Sequence, residues 1–187
     1  MIGPLSGIKI VDLSSVVSGP VATVLLADQG ADVIKVEAPG GDIVRRMGSG
    51  KNNLSPAFIA ANRGKRSICI DLKESLGVGL VKKLVADADV FIQNYRPGAI
   101  ERLGLGYDVL SKLNPRLLYV SVSGFGEKGP YAHKRVYDPV IQALSGLPDV
   151  QADGASARPR MVRTIIPDKV SALTTAQAIT AGLLERE

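Results

Sequence analysis

Asp168 is the residue whose position most directly indicates chemistry. It follows Pro167 and opens a helical pattern over residues 168–185, after a strand-like run at residues 163–166. Asp caps helices well, so a purely structural role suits this position. The positive end of a helix also keeps a carboxylate ionised, and a nucleophilic aspartate must be ionised. The sequence is therefore compatible with a helix cap, a nucleophile or both.

Cations gather at two turns of the chain. Arg63, Lys65 and Arg66 lie around a glycine immediately before a predicted strand, and Arg and Lys suit phosphate. Arg96 follows another predicted strand and precedes a predicted helix start, where free N–H groups favour anions. Either segment alone is compatible with a surface turn. Two such segments at one sheet edge favour a phosphorylated ligand.

The first strand-to-helix turn lacks a dinucleotide fingerprint. Residues 12–20 contain no G-x-G-x-x-G, whose glycines let the backbone approach a pyrophosphate. Glu37 ends the second predicted strand, where an acid could bind a ribose hydroxyl, although a solvated strand end explains it equally well. The turn therefore disfavours a nicotinamide- or flavin-dependent oxidoreductase.

Composition limits the remaining functions. The chain has 187 residues, a net charge of +5 and one cysteine, Cys69, which lies in an apolar run and is predicted to be a small core residue. A single cysteine excludes an internal disulfide and favours a reducing compartment. The basic residues form scattered groups rather than a dense stripe, which disfavours nucleic acid. No apolar run approaches the roughly 20 residues of a membrane span, and no leader pattern is visible, so we predict a cytoplasmic location.

Short apolar runs alternate with helical patterns along the chain. We predict five strands, at residues 8–13, 32–37, 67–71, 90–93 and 117–122. Helices are predicted among them, including residues 20–29, 55–62, 73–86, 107–113 and 138–144. Such alternation predicts an α/β fold with a parallel sheet and helices on both faces. Ligands of such sheets bind beyond the carboxyl ends of the strands.

A series of segments, taken in order, resembles the class III CoA-transferases, the formyl-CoA and carnitine CoA-transferase family. The matching segments are residues 4–13, 18–20, 30–37, 41–42, 62–71, 94–99, 113–117 and 124–130. The resemblance implies a Rossmann-like parallel sheet flanked by helices, which is the large, CoA-binding domain of that family. It also implies that residues 1–187 are the N-terminal part of this domain, truncated before the family's small domain and C-terminal return.

The resemblance also implies a reaction and a set of site residues. The family moves CoA from an acyl-CoA to an acceptor carboxylate through aspartyl anhydride and thioester intermediates, and the order of motifs matches its catalytic aspartate to Asp168. We predict CoA contacts at Ser15, Val16, Val17, Ser18, Leu72, Asn94, Tyr95, Arg96, Arg102, Arg135 and Tyr137. The expected partners are a CoA thioester and a carboxylic acid, with no metal, no tightly bound cofactor, no nucleic acid and no membrane. An interlocked homodimer is expected.

The chain departs from the family pattern at several points. Residues 15–18 lack the His or Gln that is frequent there, Ala38 replaces a frequent basic residue, and Arg135 stands where some relatives use Lys. Related acyl-CoA racemases carry a His where this chain has Tyr137, and a phenol is a poor base at neutral pH. An acyl-CoA racemase or isomerase is therefore the weaker alternative, and a truncated, non-catalytic CoA-binding fragment is another.

Overall fold

The centre of the fold is a parallel sheet of five strands. The computed structural model describes residues 3–154 and 158–187. Its strands are β1 (Lys9–Asp12), β2 (Asp32–Glu37), β3 (Arg66–Cys69), β4 (Val90–Gln93) and β5 (Leu118–Ser121). They lie in the order β3-β2-β1-β4-β5, and each neighbouring pair is parallel. The predicted α/β class is confirmed, and β2 and β4 have the predicted bounds.

Helices connect the strands and cover both faces of the sheet. They are α1 (Ser18–Asp28), α2 (Pro56–Asn62), α3 (Ser75–Ala86), α4 (Ala99–Arg102), α5 (Tyr107–Leu113), α6 (Asp138–Leu144), α7 (Leu147–Val150) and α8 (Ile166–Arg186). A 3-10 turn spans Ile43–Arg46. The bounds of α5 and α6 are those that the sequence predicts, whereas α8 begins before Asp168.

The strand order reverses between β1 and β4. From β1 the chain runs outward through β2 to β3 and then returns to place β4 on the other side of β1. Asp12 and Ile92 are register partners at this junction. Open α/β sheets bind ligands in the crevice where the strand order reverses, beyond the carboxyl ends of the strands. The fold therefore places its crevice between the loops that follow β1 and β4.

Two apolar cores lie on opposite faces of the sheet. Alternate residues of a strand point to opposite faces, so Ile10 and Ile92 join one core while Val11 and Phe91 join the other. The first core is closed by α1 and α8, which pack against each other. The second is closed by α3 and α5. This packing brings the first turns of α1 and α8 together at the carboxyl edge of β1.

Two local predictions are wrong. Cys69 is exposed rather than buried, because β3 is an edge strand and its four residues are all exposed. The run at residues 163–166 forms no strand within the described part of the chain. The Gln142 side chain accepts a hydrogen bond from the Val162 N–H and donates one to the Thr164 carbonyl, so these backbone groups are not available to a neighbouring strand. Ile166 is already the first residue of α8.

Candidate functional site

Two loops meet at the reversal point through a pair of amide hydrogen bonds. Ser15 follows β1 and Asn94 follows β4. The Ser15 N–H donates to Asn94 Oδ1 at 2.9 Å, and Asn94 Nδ2 donates to the Ser15 carbonyl at 2.8 Å. The structure thus brings two of the predicted CoA contacts together. The bond pair fixes the two walls of the crevice relative to each other.

Beneath the crevice, Asp12 organises the end of β1. Its Oδ1 accepts the Ser14 N–H at 2.9 Å and also the Ser14 hydroxyl. Its Oδ2 accepts the Thr23 hydroxyl at 2.6 Å and Lys65 Nζ at 2.9 Å. Burial by itself would raise the pKa of Asp12, but the charges of Lys65 and Lys35, with the two hydroxyls, lower it. Asp12 is therefore a charged anchor for the loop.

Val16 holds a strained backbone in this loop. Its φ of 69° lies in the left-handed region, which a β-branched residue rarely adopts. The Val16 N–H donates to Asp42 Oδ2 at 3.2 Å. Asp42 pairs with Lys35 at 3.1 Å, with both side chains 1% exposed, and Lys35 also donates to the Ser14 carbonyl at 2.9 Å. A buried ion pair thus maintains the turn, and strain of this kind clusters at functional sites.

The first turn of α1 packs directly on the same loop. At Gly19, an added Cβ would lie 2.4 Å from both Cβ and Oγ of Ser14, so only glycine permits this approach. Val17 and Ser18, two predicted CoA contacts, lie at the start of this helix and are half-buried. The close approach places Ser18 at the carboxyl edge of β1.

Asp168 lies beside this turn, on the first turn of α8. The Ser18 hydroxyl donates to Asp168 Oδ1 at 2.5 Å. Asp168 is the third residue of α8 rather than its cap, because the helix begins at Ile166 and the cap position belongs to Ile165. The Asp168 N–H instead donates to Asp138 Oδ2 at 3.1 Å. The predicted capping role is therefore wrong in its detail: a carboxylate of α6 satisfies a free N–H of α8.

Asp138 is held in turn by a buried glutamine. Gln142 Nε2 donates to Asp138 Oδ1 at 2.6 Å and to the Thr164 carbonyl at 3.1 Å. Gln142 Oε1 accepts the Val162 N–H at 2.9 Å. Asp138 and Gln142 are both buried. The pair ties α6 to the segment that leads into α8 and so fixes the position of Asp168.

This arrangement presents a carboxylate with one oxygen bound and one oxygen open. Ser18 engages Oδ1, whereas no group of residues 3–154 or 158–187 makes a hydrogen bond to Oδ2. Asp168 is half-buried, at the point where α1 and α8 both begin. Free N–H groups at helix starts favour negative charge. A carboxylate held in this way can attack an electrophilic carbonyl.

The other predicted contacts differ in how far they are exposed. Leu72 and Tyr95 pack against the second apolar core, and burial raises the pKa of the Tyr95 phenol. Arg96 and Arg102 are exposed, and neither forms an ion pair within the described ranges. An added Cβ on Gly98 would lie 3.1 Å from Arg102 Nη1, so the Arg102 guanidinium lies over the start of α4. These two arginines are cations available to an anion.

The remaining two predicted contacts lie on the loop before α6. Arg135 is exposed, and Tyr137 is 73% exposed. Tyr137 immediately precedes Asp138, which bonds the backbone of Asp168. The loop therefore leads directly into the residue that holds the Asp168 backbone.

The cationic turn before β3 does not form a phosphate site. Lys65 is turned inward to Asp12, and Arg63 pairs with Asp28 at the end of α1. Arg66 pairs with Asp32 at 2.5 Å, at the amino-terminal end of β2. Burial lowers the pKa of Lys65 despite the opposing charge of Asp12. The prediction from this turn is wrong because intramolecular carboxylates already use its charges.

Glu37 is likewise committed to the fold. Arg45 donates to both of its oxygens, at 2.7 and 2.6 Å, and the Ser67 hydroxyl and the Asp42 N–H donate at 2.5 and 2.9 Å. Burial alone would raise the pKa of Glu37, but these bonds lower it to about 2. No oxygen remains for a ribose hydroxyl, so the solvated strand end and the ribose site are both excluded.

Sequence reasoning missed Asp42 and Gln142. Asp42 caps the 3-10 turn by accepting the Val44 N–H at 3.1 Å, and an Asp before a short apolar run is a local signal for such a cap. Gln142 stands four residues after Asp138 on α6, a spacing that brings side chains together on a helix. Neither signal reveals the long-range contacts that each residue makes.

The described residues contain neither a cluster of metal ligands nor a helix that could span a membrane. No group of three or more His, Cys, Asp or Glu side chains in residues 3–154 and 158–187 could hold a metal ion. In the same ranges, no helix has the length and apolar character needed to cross a membrane.

Comparison with known proteins gives consistent matches. A family model described as CoA-transferase family III matches residues 5–187. The succinyl-CoA:glutarate CoA-transferase of Mus musculus is 43% identical over 187 residues, which cover 98% of this chain and 42% of that protein. The acetyl-CoA:oxalate CoA-transferase of Acetobacter aceti is 45% identical over 146 residues, which cover 78% of this chain and 38% of that protein.

Solved structures match the fold closely. A CAIB/BAIF family protein from Brucella suis has a TM-score of 0.93 and 39% sequence identity, over 100% of this chain and 50% of that chain. The chain therefore spans about half the length, or less, of the relatives that it matches.

Proposed function

The chain belongs to CoA-transferase family III, and from that membership we propose that the intact protein moves CoA from an acyl-CoA to an acceptor carboxylate, with Asp168 as nucleophile. The observation that carries this proposal is the Asp168 carboxylate at the crevice, with Oδ1 held 2.5 Å from the Ser18 hydroxyl. The Asp138 carboxylate fixes the backbone of the same residue. A positioned and charged nucleophile is the group that acyl transfer requires.

The first half of the proposed reaction charges the enzyme with CoA. The Asp168 carboxylate attacks the thioester carbonyl of the donor, the C–S bond breaks, and CoA leaves as its thiolate. A mixed anhydride between the acyl group and Asp168 results. The thiolate then attacks the Asp168 carbonyl, and the donor acid leaves with the oxygen that bridged the anhydride. The product is an aspartyl-CoA thioester.

The second half transfers CoA to the acceptor. The acceptor carboxylate attacks the aspartyl thioester, the thiolate leaves again, and a second mixed anhydride forms. Attack of the thiolate on the acceptor carbonyl releases the new acyl-CoA and restores the Asp168 carboxylate. Each turnover therefore replaces one Asp168 oxygen with an oxygen of the acceptor, because the bridging oxygen of the second anhydride comes from the acceptor.

We place CoA along the crevice between the β1 and β4 loops. Arg96 and Arg102 are the exposed cations beside it, and guanidinium groups suit phosphate. The strained turn at Val16 and the half-buried Tyr95 supply backbone and apolar contacts. The loop after β1 lacks the glycines of a dinucleotide site, so we expect CoA to bind more tightly than NAD.

Relatives named for glutarate and oxalate support short dicarboxylic acids as the acceptor class.

Transfer is favoured over racemisation, because the position of the racemase base holds Tyr137, and phenols are poor bases at neutral pH. Assembly as a homodimer remains a prediction from the family resemblance, and a cytoplasmic location remains a prediction from the sequence.

Variants of the full-length natural protein test the proposal. Asp168→Asn and Asp168→Ala should abolish CoA transfer, measured by chromatography of the acyl-CoA product, while calorimetry finds CoA binding largely retained. Asp149→Asn is the matched control, because Asp149 is exposed on α7 and outside the crevice. Full turnover by Asp168→Asn, with deamidation excluded by mass spectrometry, would refute the assignment.

A further inference from the structure

The two oxygens of the Asp168 carboxylate are not equivalent. The Ser18 hydroxyl donates to Oδ1 at 2.5 Å, and the described residues offer no donor to Oδ2. The backbone of Asp168 is fixed independently, through its N–H bond to Asp138 Oδ2. The side chain therefore has a defined inner oxygen and a defined outer oxygen.

Ser18 is itself rigidly placed. It lies in the first turn of α1, next to Gly19, whose missing side chain allows this turn to pack against Ser14. Thr23, one turn further along, donates to the buried Asp12 at 2.6 Å. The Ser18 hydroxyl therefore belongs to a turn that is anchored through Gly19 and Thr23, which suits a group that must hold a carboxylate in one orientation.

We infer that Ser18 selects Oδ2 as the attacking oxygen and donates a hydrogen bond to Oδ1 while that oxygen carries the developing negative charge. The inference rests on the proposed function and assigns to the Ser18 side chain a role beyond contact with CoA. Whenever the thiolate or the acceptor attacks the Asp168 carbonyl carbon, the electron pair of its C=O bond moves onto Oδ1. The Ser18 hydroxyl stabilises this oxyanion, as a preorganised donor does at other acyl-transfer sites.

Under this inference, only the Oδ2 position of Asp168 exchanges its oxygen during turnover. Oδ2 bridges the first anhydride and departs with the donor acid, and the acceptor supplies its replacement at the same place. Oδ1 stays bound to carbon and to Ser18 through all four steps. With a carboxylate that cannot flip between turnovers, Oδ1 is never exchanged, whereas a freely flipping carboxylate exchanges both oxygens after several turnovers.

Labelling of Asp168 during turnover tests this inference. The full-length protein is given an unlabelled acyl-CoA donor and an excess of acceptor acid labelled with oxygen-18 in both carboxylate oxygens. After many turnovers the protein is digested, and the mass of the peptide that contains Asp168 is measured by mass spectrometry. Wild type should retain one heavy oxygen and never two, and Ser18→Thr, which keeps the hydroxyl, should behave in the same way. Ser18→Ala, compared at an equal number of turnovers, should progress to two heavy oxygens.

The kinetic readout is separate from the label. Ser18→Ala should lower kcat on the order of 100- to 1,000-fold, as expected for loss of an oxyanion donor, while the calorimetric Kd for CoA changes little. Ser171→Ala is the matched control, because Ser171 is an exposed serine of α8 that lies three residues after Asp168. A reaction with unlabelled acceptor in oxygen-18 water measures any label that hydrolysis introduces.

The outcomes separate the inference from the proposed function. Absence of label from Asp168 during turnover by wild type would refute the aspartyl mechanism itself. Two heavy oxygens in wild type, or a persistent single heavy oxygen in Ser18→Ala, would overturn the role of Ser18 while the aspartyl mechanism stands.

Discussion

The charged residues at the carboxyl ends of β1 and β2 differ from those around Asp168 in how completely they are paired. Asp12 and Lys65 pair with each other out of contact with solvent, and the half-buried Arg45 balances Glu37. Asp168, in contrast, has only one oxygen engaged by the described residues, and Arg102 forms no ion pair within them. Paired charges therefore maintain the loops around the crevice, whereas the Asp168 and Arg102 side chains keep hydrogen-bonding capacity for a ligand.

The largest effect on stability is expected where a buried pair is broken. Lys65→Met leaves the buried Asp12 carboxylate without its hydrogen-bonded cation, so the free energy of unfolding should fall by about 3–5 kcal/mol. Urea denaturation followed by circular dichroism measures the loss. Lys112→Met, at an exposed lysine of α5, is the matched control. A loss for Lys65→Met as small as that of the control would show that the pair is not part of the framework.

Acid should weaken the framework through Glu37. Its pKa is about 2 in the folded protein, below the ordinary value of 4.5, so its contribution is complete above pH 4.5 and is lost as pH falls toward 2. The difference is worth on the order of 3 kcal/mol. Glu37→Gln should be less stable than wild type at neutral pH. As the pH is lowered, its urea midpoint should fall less steeply than that of wild type. Equal slopes for the two proteins would contradict the assigned role.

Loss of a cation that has no intramolecular partner among the described residues should weaken CoA binding and leave the stability of the fold unchanged. Arg102→Ala should weaken CoA binding by about 1–3 kcal/mol, because a charge-assisted bond to phosphate is lost. Calorimetry on the full-length protein measures this, and its thermal midpoint should stay close to that of wild type. Unchanged CoA affinity would place the phosphates elsewhere. Tighter binding of NAD than of CoA would overturn the ligand class altogether.

The smallest effect is expected at a paired surface cation. Arg66→Ala removes an exposed ion pair with Asp32, which is worth roughly 0–1 kcal/mol. CoA affinity should not change, because Arg66 lies away from the crevice. A loss of affinity as large as that of Arg102→Ala would restore the phosphate site that the cationic turn before β3 first indicated.

Local patterns predicted the elements better than they predicted the site. The bounds of β2, β4, α5 and α6 follow from short apolar runs and from turn residues beside them. The roles of Lys65 and Ser18 depend on partners 53 and 150 residues away, respectively, and no local pattern reports such contacts. Cations that look available in sequence are therefore not distinguishable from cations that the fold already pairs.

The family resemblance predicted Asp168 as the nucleophile but did not describe its surroundings. Local sequence indicated a helix cap, whereas the residue lies within the first turn and its own N–H is satisfied by Asp138. That contact joins α6 to α8 across 30 residues. The packing of α8 against α1, and of α6 against α8, brings the Ser18 hydroxyl to the carboxylate.

Trapping of the acylated residue tests the central claim most directly. The full-length protein is mixed with an acyl-CoA donor alone, quenched with hydroxylamine and digested with trypsin. Cleavage after Arg163 and Lys169 gives a peptide of residues 164–169 in which Asp168 is the only acidic residue, while Asp138 falls in a different peptide. We predict a hydroxamate on residues 164–169 in wild type and none there in Asp168→Asn. A hydroxamate on the Asp138 peptide, or continued turnover without modification of residues 164–169, would contradict the account.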